Sequence, residues 1–525
     1  MSETGAAGAP LYPEHPWLVA GAVLSATFME VLDTTVVNVA LPHIAGSLSA
    51  TPEEATWSLT SYLVANAIVL PLAGWLAQRI GRRRLLLLSV SGFTITSVLC
   101  GFATSLFALV LFRVLQGLSG GAMQPVSQAV MLESFPPEKR GRAMGIWALG
   151  IVVAPMLGPI FGGWLTESLS WHWIFFLNLP IGLASLFAIR ALLHDPPYLR
   201  RHAGKIDGWG LGLLVVGLGA LQILLDKGQQ EDWFASTLVR TLAVLAVVGL
   251  VGFVARELRS EAPILDLHLL RNRSFAVGFG LIAVVGLVLY GSILLMPLML
   301  QTLLGYSAYD AGLATSPRGL GSFLAMPVIG FLVGRFGGRR LFTLGLLATA
   351  ASLFWLARFD LDAGVHEFFW PQILLGVALG LLFVPLNTIA MSSVPRERMG
   401  HATSLFNVIR NIGGSVGIAL ATTFVSRSTQ AHAEVLARGV DPYSAPTRQW
   451  LGDVTRLIGS YVPDAATAAM QARGAVFYQV MRQASTLAFL DTYRLLAILA
   501  LCALPFVPLL GKAPKSARGG FPGGH

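Results

Sequence analysis

The sequence predicts an all-α integral membrane protein with 14 transmembrane helices, arranged as two six-helix halves plus a two-helix linker insertion. Composition is the first observation behind this fold class. Of the 525 residues, 54% are hydrophobic and only 12% are charged, whereas soluble domains are about 25% charged. The mean hydropathy is +0.68, so the lipid bilayer is the expected solvent. The other two observations are a series of apolar segments and a pair of polar loops that each occur twice.

The repeated loops predict two halves of the same topology. PPEKRGRA at 136–143 and PRERMGHA at 395–402 share the pattern P-x-E-[KR]-x-G-x-A and lie 259 positions apart. RIGRRR at 79–84 is repeated as RFGGRR at 335–340, 256 positions later. Parallel repeats of this kind are typical of large secondary transporters, in which the substrate path lies between the halves.

The apolar segments define the individual spans, since roughly 20 apolar residues cross a ~30 Å hydrocarbon core. The predicted spans are about 17–42, 57–78, 85–104, 106–133, 143–168, 173–193, 208–227, 236–257, 275–303, 311–334, 341–359, 368–393, 402–426 and 486–511. The predicted organisation is a tail at 1–16, a first half at 17–193, a linker with two extra helices at 194–274, a second half at 275–511 and a tail at 512–525. The second half includes a long loop at 427–485.

Lys and Arg residues distinguish the two faces of the membrane. They occur in the loops 79–84, 134–142, 194–207, 258–274, 335–340 and 394–401 and in the tail after 511. The short loops on the opposite side carry none. By the positive-inside rule both termini are cytoplasmic. The net charge of +9 is thus an orientation signal, and no nucleic-acid partner is expected.

Three charged residues inside predicted spans are candidates for proton coupling. Glu30 and Asp33 lie three positions apart, on one face of the first helix. Burial disfavours the charged form of a carboxyl group, which lets such a group take up and release a proton. Arg113 lies in the middle of the fourth span, and an arginine in hydrocarbon needs a carboxylate or carbonyl partner. We therefore expect Arg113 to pair with Asp33 or Glu30 and to tune the acidity of that carboxyl group. The alternative is that the buried pair has a purely structural role.

The repeated loops at 79–84, 136–143, 335–340 and 395–402 resemble those of the major facilitator superfamily. FMEVLDTTVVNVALPHIAG at 28–46, WHWIFFLNLPIG at 171–182 and the linker sequence at 206–234 look like the fourteen-helix EmrB/QacA group of proton-coupled multidrug exporters, in its Gram-negative EmrB branch. The resemblance implies a bacterial inner-membrane protein with a periplasmic adaptor of the EmrA type and an outer-membrane channel of the TolC type. In this family the segment around Asp33 is a signature motif, and the arginine that matches Arg113 is implicated in proton transfer.

Several polar residues are candidates for lining the substrate cavity. Glutamines continue along the fourth span, where neighbouring glycines permit close helix packing. Arg318 is compatible with anionic substrates or, alternatively, with a side chain that reaches to the membrane surface. The cavity candidates are Asn38, Gln116, Gln124, Gln128, Arg318, Asn387 and Arg410.

Two further segments resemble gating motifs of the superfamily. The loop GWLAQRIGRRR matches at Gly74, Arg79, Gly81, Arg82 and Arg83. Gln78 stands where that pattern usually has Asp, so we expect its gate contact to be weaker or made by other groups. These arginines alternatively serve only to set topology.

The fifth span, GIVVAPMLGPIFGGW, resembles a motif that proton-driven exporters share. Its motif residues are Pro155, Gly158, Pro159 and Gly162. Proline removes a backbone donor and bends a helix, and glycine allows tight contact between helices. The residues themselves predict a bent, closely packed helix, and the resemblance implies export.

The sequence thus predicts a proton-coupled exporter of hydrophobic or amphipathic toxic compounds that is not an enzyme. No G-x-x-x-x-G-K-[ST] motif is present, so the proton gradient is the expected energy source and no cofactor is expected. Export of long-chain fatty acids and proton-coupled uptake are the alternatives. The two cysteines fall in predicted spans and the ten histidines are scattered, so no metal site is expected. The loop 427–485 is either a docking surface for a partner or a solvated cap.

Overall fold

The computed structural model describes residues 13–195, 207–260, 263–361, 363–440, 443–462 and 464–511. Within these ranges the chain is all helical, with no β-strand, as the fold class predicts. Thirteen helical stretches are long and apolar enough to cross a membrane, which identifies a multi-pass membrane protein. The predictions for the outermost parts of both tails and for residues 196–206 lie outside the described residues.

The helices follow one another in a regular series. The first ten are α1 (Pro16–Ser47), α2 (Pro52–Ala55), α3 (Trp57–Val69), α4 (Ala73–Ile80), α5 (Arg82–Gly101), α6 (Leu106–Gly120), α7 (Met123–Ser134), α8 (Pro137–Ser168), α9 (Trp173–Phe176) and α10 (Asn178–Leu192). The linker forms α11 (Gly208–Lys227) and α12 (Thr237–Glu257). The remainder forms α13 (Arg273–Leu303), α14 (Ala308–Thr315), α15 (Pro317–Phe336), α16 (Gly338–Leu356), α17 (Val365–Ser392), α18 (Met399–Arg438), α19 (Ala445–Gly459) and α20 (Ala465–Cys502).

Some predicted spans are built from two shorter helices. Pro71 lies in a 3₁₀ turn that joins α3 to α4, and α6 gives way to α7 after Gly120. The predicted span at 341–359 corresponds to α16, which is not among the thirteen membrane-length helices. Its first turn carries Arg339 and Arg340, which lower its hydropathy.

Equivalent helices pack in equivalent ways in the two predicted halves. The first helix, α1, packs along α8, and its counterpart α13 packs along α18. Similarly, α3 packs on α6 and α15 packs on α17. Glycines permit these approaches: a Cβ on Gly121 would lie 2.6 Å from the carbonyl oxygen of Asn66, and one on Gly162 would lie 3.0 Å from that of Val36.

Four glycines bring the two predicted halves together at one end of the molecule. A Cβ on Gly74 would lie 2.7 Å from the carbonyl oxygen of Gly400, and one on Gly141 would lie 2.6 Å from that of Gly330. Gly74 N also donates to Ser404 Oγ at 2.9 Å. These contacts gather the arginine-rich loops 79–84, 134–142, 335–340 and 394–401, and we call this the basic end. The opposite end is the outer end.

The segment 427–485 is not the long loop that the sequence predicts. Helix α18 continues without interruption to Arg438, α20 begins at Ala465, and α19 lies between them. At 1.5 Å per residue, the 40 residues of α18 span about 60 Å, roughly twice the hydrocarbon thickness. The predicted span 402–426 ends where the hydropathy falls, whereas the helix itself continues to Arg438.

The linker hairpin of α11 and α12 contacts both halves at the outer end. Thr60 Oγ1 donates to Asp226 Oδ2 at 2.5 Å, and Lys227 Nζ donates to Thr56 Oγ1 at 2.9 Å. On the other side, Trp233 Nε1 donates to Thr423 Oγ1 at 3.0 Å. The hairpin therefore bridges the start of α3 and the outer part of α18.

An aspartate fixes the hairpin at its other end. Asp207 Oδ1 accepts from Gly210 N at 3.0 Å, which caps α11, and Arg256 Nε donates to Asp207 Oδ2 at 2.7 Å. The hydrogen bond from the Arg256 guanidinium lowers the pKa of Asp207 below its ordinary value of 3.8. This cap and ion pair tie the two helices of the hairpin together.

Candidate functional site

Asp33 forms the centre of a buried polar cluster between α1, α6 and α10. Its carboxylate is 2% exposed and accepts three hydrogen bonds. Arg113 Nη1 donates to Oδ2 at 2.6 Å, while Gln116 Nε2 and Asn178 Nδ2 donate to Oδ1 at 3.0 and 2.7 Å. The structure therefore brings Asp33, Arg113 and Gln116 together, as a buried ion pair with neutral donors around it.

Arg113 joins this cluster to a fourth helix, α3. Its guanidinium is fully buried; Nε donates to the carbonyl oxygen of Ser58 at 2.9 Å and Nη1 to Gln116 Oε1 at 2.8 Å. The ring of Tyr62 lies 4.2 Å from the guanidinium carbon, a cation–π distance. A change in the charge of Asp33 would alter contacts on α1, α3, α6 and α10 at once.

Glu30 has different surroundings from Asp33. Asn66 Nδ2 donates to its Oε1 at 2.9 Å, whereas its buried Oε2 has no hydrogen-bond partner among the described residues. No Arg or Lys nitrogen of the described chain lies within 4.0 Å of Glu30, but Arg410 of α18 is near enough to interact with it electrostatically. One of the two carboxylates is thus held in a contact ion pair and the other is not.

Polar side chains also meet across the interface between the predicted halves. Gln128 Nε2 donates to Asn387 Oδ1 at 2.7 Å, and Asn407 Nδ2 donates to Gln128 Oε1 at 2.5 Å. Nearby, Arg410 Nη2 donates to Gln124 Oε1 at 2.5 Å. Four of the cavity candidates therefore lie at the contact between α7, α17 and α18, where relative movement of the halves would change these hydrogen bonds.

The remaining two cavity candidates lie elsewhere. Asn38 is exposed on α1 and makes no side-chain hydrogen bond within the described chain. Arg318 is 8% exposed, and its Nε donates to Gln372 Oε1 at 2.8 Å. Its burial between helices is not that of a side chain reaching to the membrane surface.

The first gating motif forms a compact turn at the basic end. Gly81 has a φ of +92° and Gly337, its repeat counterpart, a φ of +83°, a region that favours glycine. Asp195 Oδ1 accepts from Arg83 N at 2.9 Å, and Arg82 forms a buried salt bridge with Glu133. These arginines have structural partners in addition to any topological role.

Gln78 makes a contact between the predicted halves in place of the usual charged one. Its Nε2 donates to the carbonyl oxygen of Glu397 at 3.3 Å. Arg79, by contrast, lies with its guanidinium carbon 5.3 Å from the ring centroid of Trp75, in its own helix. In the described residues, the contact that Gln78 makes with the other half is thus a neutral hydrogen bond.

The exporter-like motif on α8 packs against α1. A Cβ on Gly158 would collide with Thr35, and one on Gly150 would collide with Leu24. Pro155 and Pro159 lie inside the same continuous helix, Pro137–Ser168. Close packing of this face follows from the glycines, as the sequence predicts.

The described residues form a groove at the surface but no metal-binding group. They contain no group of three His, Cys, Asp or Glu side chains that could hold a metal ion. A groove of about 330 Å³ lies at the outer end between α13, α18 and α20, lined by Leu298, Thr302, Leu303, Val425, Tyr478, Met481, Arg482, Ser485 and Phe489.

Sequence reasoning missed several partners of the charged residues. Asn178 and Asn66 hydrogen-bond to Asp33 and Glu30, and Asn407 completes the cluster around Gln128. Each is a buried polar residue in an apolar span. Such residues were recognisable as candidates, but nothing in their spacing indicated which carboxylate they would contact.

Comparisons with known proteins agree with this architecture. Residues 23–418 match the Major Facilitator Superfamily. Multidrug export protein EmrB of Haemophilus influenzae is 43% identical over 420 residues, covering 80% of this chain and 82% of that protein. Multidrug export protein EmrB of Escherichia coli K12 is 38% identical over 503 residues, covering 95% and 96%.

Two further matches extend the comparison. Fatty acid resistance protein FarB of Neisseria gonorrhoeae is 42% identical over 421 residues, covering 80% of this chain and 83% of that protein. The crystal structure of the human organic anion transporter MFSD10 (TETRAN) superimposes with a TM-score of 0.56 at 14% identity, covering 92% of this chain and 99% of that chain. Because the identity is only 14%, the match to MFSD10 concerns the fold alone.

Proposed function

Because the chain belongs to the major facilitator superfamily and is a multidrug efflux transporter of the EmrB type, we propose that it exchanges protons for hydrophobic or amphipathic drugs. The observation that carries this proposal is the buried cluster around Asp33. A carboxylate held by Arg113 at 2.6 Å changes its contacts on four helices when a proton arrives. Protonation and drug occupancy would then be antagonistic, which is what an antiporter requires.

Alternating access would occur by rocking of the two halves. The glycine contacts close the basic end, and the hydrogen bonds around Gln128 lie between this closure and the outer end. Neutral hydrogen bonds and backbone contacts exchange with water at modest net cost, which suits an interface that must open and close. We assign this structure to a state closed at the basic end.

The proposed orientation places the basic end in the cytoplasm of a bacterial cell, with the protein in the inner membrane. This assignment rests on the excess of Lys and Arg in the loops at that end. The energy source would be the proton motive force, since moving one charge through 100 mV supplies about 2.3 kcal/mol.

We further propose a tripartite assembly with an EmrA-type adaptor and a TolC-type channel. The supporting features are the likeness to EmrB proteins and the extension of α18, α19 and α20 beyond the membrane at the outer end. The extension offers a helical surface and a groove of about 330 Å³. This helical surface supports the docking alternative for the segment 427–485 over that of a solvated cap.

Export of long-chain fatty acids is the second candidate function. It is favoured by the 42% identity to fatty acid resistance protein FarB, which is nearly the same as the identity to the EmrB of H. influenzae. Proton-coupled uptake would use the same fold in the opposite direction. Comparing substrate transport in right-side-out and inverted vesicles distinguishes uptake from export.

The test is drug-dependent proton movement in inverted membrane vesicles for wild type, Asp33→Asn and Glu30→Gln. Glu434→Gln, on an exposed part of α18, is the matched control. We expect Asp33→Asn to abolish drug-dependent proton efflux while drug binding is retained. Unchanged exchange in Asp33→Asn with loss in Glu30→Gln would move the coupling site to Glu30. Absence of drug-dependent proton movement in wild type, across a panel of cationic and neutral drugs, would overturn the antiporter proposal.

A further inference from the structure

Arg318, near the start of α15, is a buried cation that has no acidic partner in the part of the chain that the structure describes. It is 8% exposed, and its two hydrogen bonds go to neutral acceptors, from Nε to Gln372 Oε1 at 2.8 Å and from Nη2 to the carbonyl oxygen of Ser292 at 3.4 Å. No carboxylate oxygen of the described residues lies within 4.0 Å of it. A buried guanidinium with neutral partners alone is expensive, because its lost hydration is not repaid.

The repeat offset identifies the two residues that contact Arg318. The PxE loops are separated by 259 positions, and the same offset carries Asp33 to Ser292 and Arg113 to Gln372. The two residues that touch Arg318 are thus the counterparts of the ion pair in the first half. The second half has lost both charges of that pair and gained an arginine on a different helix. The equivalent cluster therefore changes from a neutral ion pair to a net positive charge.

Two donors in this cluster are unused. Gln372 is fully buried and its Nε2 has no hydrogen-bond partner among the described residues, while its Oε1 already accepts from Arg318. Arg318 Nη1 makes no hydrogen bond to any other described residue. A buried amide N–H without an acceptor is costly, and here it lies beside a guanidinium. The Gln372 amide and the Arg318 guanidinium suit the same kind of partner, a small group of oxygen acceptors with negative charge.

We propose that Arg318 and Gln372 form an anion site in the second half, which binds the carboxylate of an amphipathic organic acid. Guanidinium and carboxylate match in a planar, two-bond geometry, and Gln372 Nε2 supplies a further donor. The surroundings suit an apolar tail, since Met296, Leu375 and Tyr493 belong to one buried hydrophobic cluster beside the site. This inference deepens the proposed efflux function and rests on it for the transport step, but not for binding.

The test measures binding of dodecanoate and dodecanol to the purified full-length protein in lipid nanodiscs. The two probes share a tail and differ in charge. We expect wild type to bind dodecanoate more tightly, and Arg318→Gln to weaken dodecanoate binding about tenfold or more while dodecanol binding is unchanged. Arg318→Lys should keep part of the preference, and Arg456→Gln, at an exposed position, should keep all of it.

Three results would overturn the anion site. These are equal affinities of wild type for the two probes, unchanged dodecanoate affinity in Arg318→Gln, and equal weakening of both probes in that variant. If Arg318→Gln does not fold, Gln372→Leu takes its place and should weaken dodecanoate binding alone. Proton-driven export of a cationic dye is measured in parallel. If wild type exports no dye but still binds dodecanoate more tightly than dodecanol, the proposed function is refuted and the anion site stands.

Discussion

Gln128 and Asn387 hydrogen-bond to each other at 2.7 Å, and they are 259 positions apart in the chain. This is also the separation of the two PxE loops, so two repeat counterparts meet at the interface between the halves. A residue can touch its own counterpart only near the axis that relates the repeats. The Gln128–Asn387 bond therefore lies near that axis, at the interface between the two halves.

The first prediction concerns this bond. Asn387→Leu and Gln128→Leu each leave a buried amide partner without its hydrogen bond, so each should lower stability by about 1–3 kcal/mol. The double variant should lose less than the sum of the two, because the residues share one interaction. Thermal unfolding midpoints in detergent measure the cycle, with the exposed Gln471→Leu as a control. Strictly additive effects would show that the bond is not formed in solution.

The second prediction concerns closure of the basic end. Gly330→Ala would place a Cβ 2.6 Å from the carbonyl oxygen of Gly141, closer than packed atoms allow, so the halves could not meet there. We expect transport to be lost while the protein stays folded. Gly334→Ala is the matched control, because nothing lies within 4 Å of its Cβ.

The readout for closure is labelling of a cysteine introduced at Ser404, next to Gly74, after replacement of the exposed Cys502. Labelling from the basic side should increase in Gly330→Ala and stay at the starting level in Gly334→Ala. Full transport together with unchanged labelling in Gly330→Ala would contradict the assignment of this contact as the closed gate.

The third prediction concerns the salt bridge between Arg82 and Glu133, whose side chains are 3% and 5% exposed. Glu133→Gln removes the negative charge and leaves the buried Arg82 charge without this carboxylate, which should cost about 3–5 kcal/mol. Glu434→Gln removes one partner of an exposed pair with Arg438 and should have little effect. Folded yield and unfolding midpoint in detergent compare the two. Similar small effects in both variants would count against a structural role for Arg82.

The fourth prediction is a pH dependence of the linker hairpin. The pKa of Asp207 is lower in the folded protein than its ordinary value of 3.8. The stability contributed by this lowering is fully present above the unfolded pKa and is lost as the pH falls through the folded pKa. Asp207→Asn should therefore be less stable than wild type near pH 7, with a difference that shrinks below about pH 4. Unfolding midpoints across this range provide the measurement, with Asp453→Asn as an exposed control. A constant difference at all pH values would refute the role of the charge.

The membrane-spanning helices and a pairing of Arg113 with a carboxylate of α1 could be predicted from sequence, because both follow from the cost of burying polar groups in lipid. A mid-span arginine must find a carboxylate, and Asp33 and Glu30 were the available choices. The choice between them could not be made, since it depends on how α6 is rotated against α1. Likewise, Gly81 and Gly337 could be recognised by their repeated loops, and both have positive φ.

Other features depend on relationships that a single pass along the chain does not show. Hydropathy reports where a membrane span ends and says nothing of whether the helix continues, so the predicted span 402–426 did not indicate the continuation of α18 to Arg438. The cluster of Ser292, Arg318 and Gln372 was missed as a unit because its members carry no shared motif. Extending the 259-position offset from the loops to every polar residue of the spans would have revealed it.

The position of α11 has a consequence for where a released drug can go. This helix lies against both α3 and α18, and its polar end is fixed to Thr56 and Thr60 of the α3 region. It therefore covers one side of the seam between the halves with protein, facing the leaflet at the outer end. On that side, a hydrophobic molecule that left the seam would meet α11 before it met lipid.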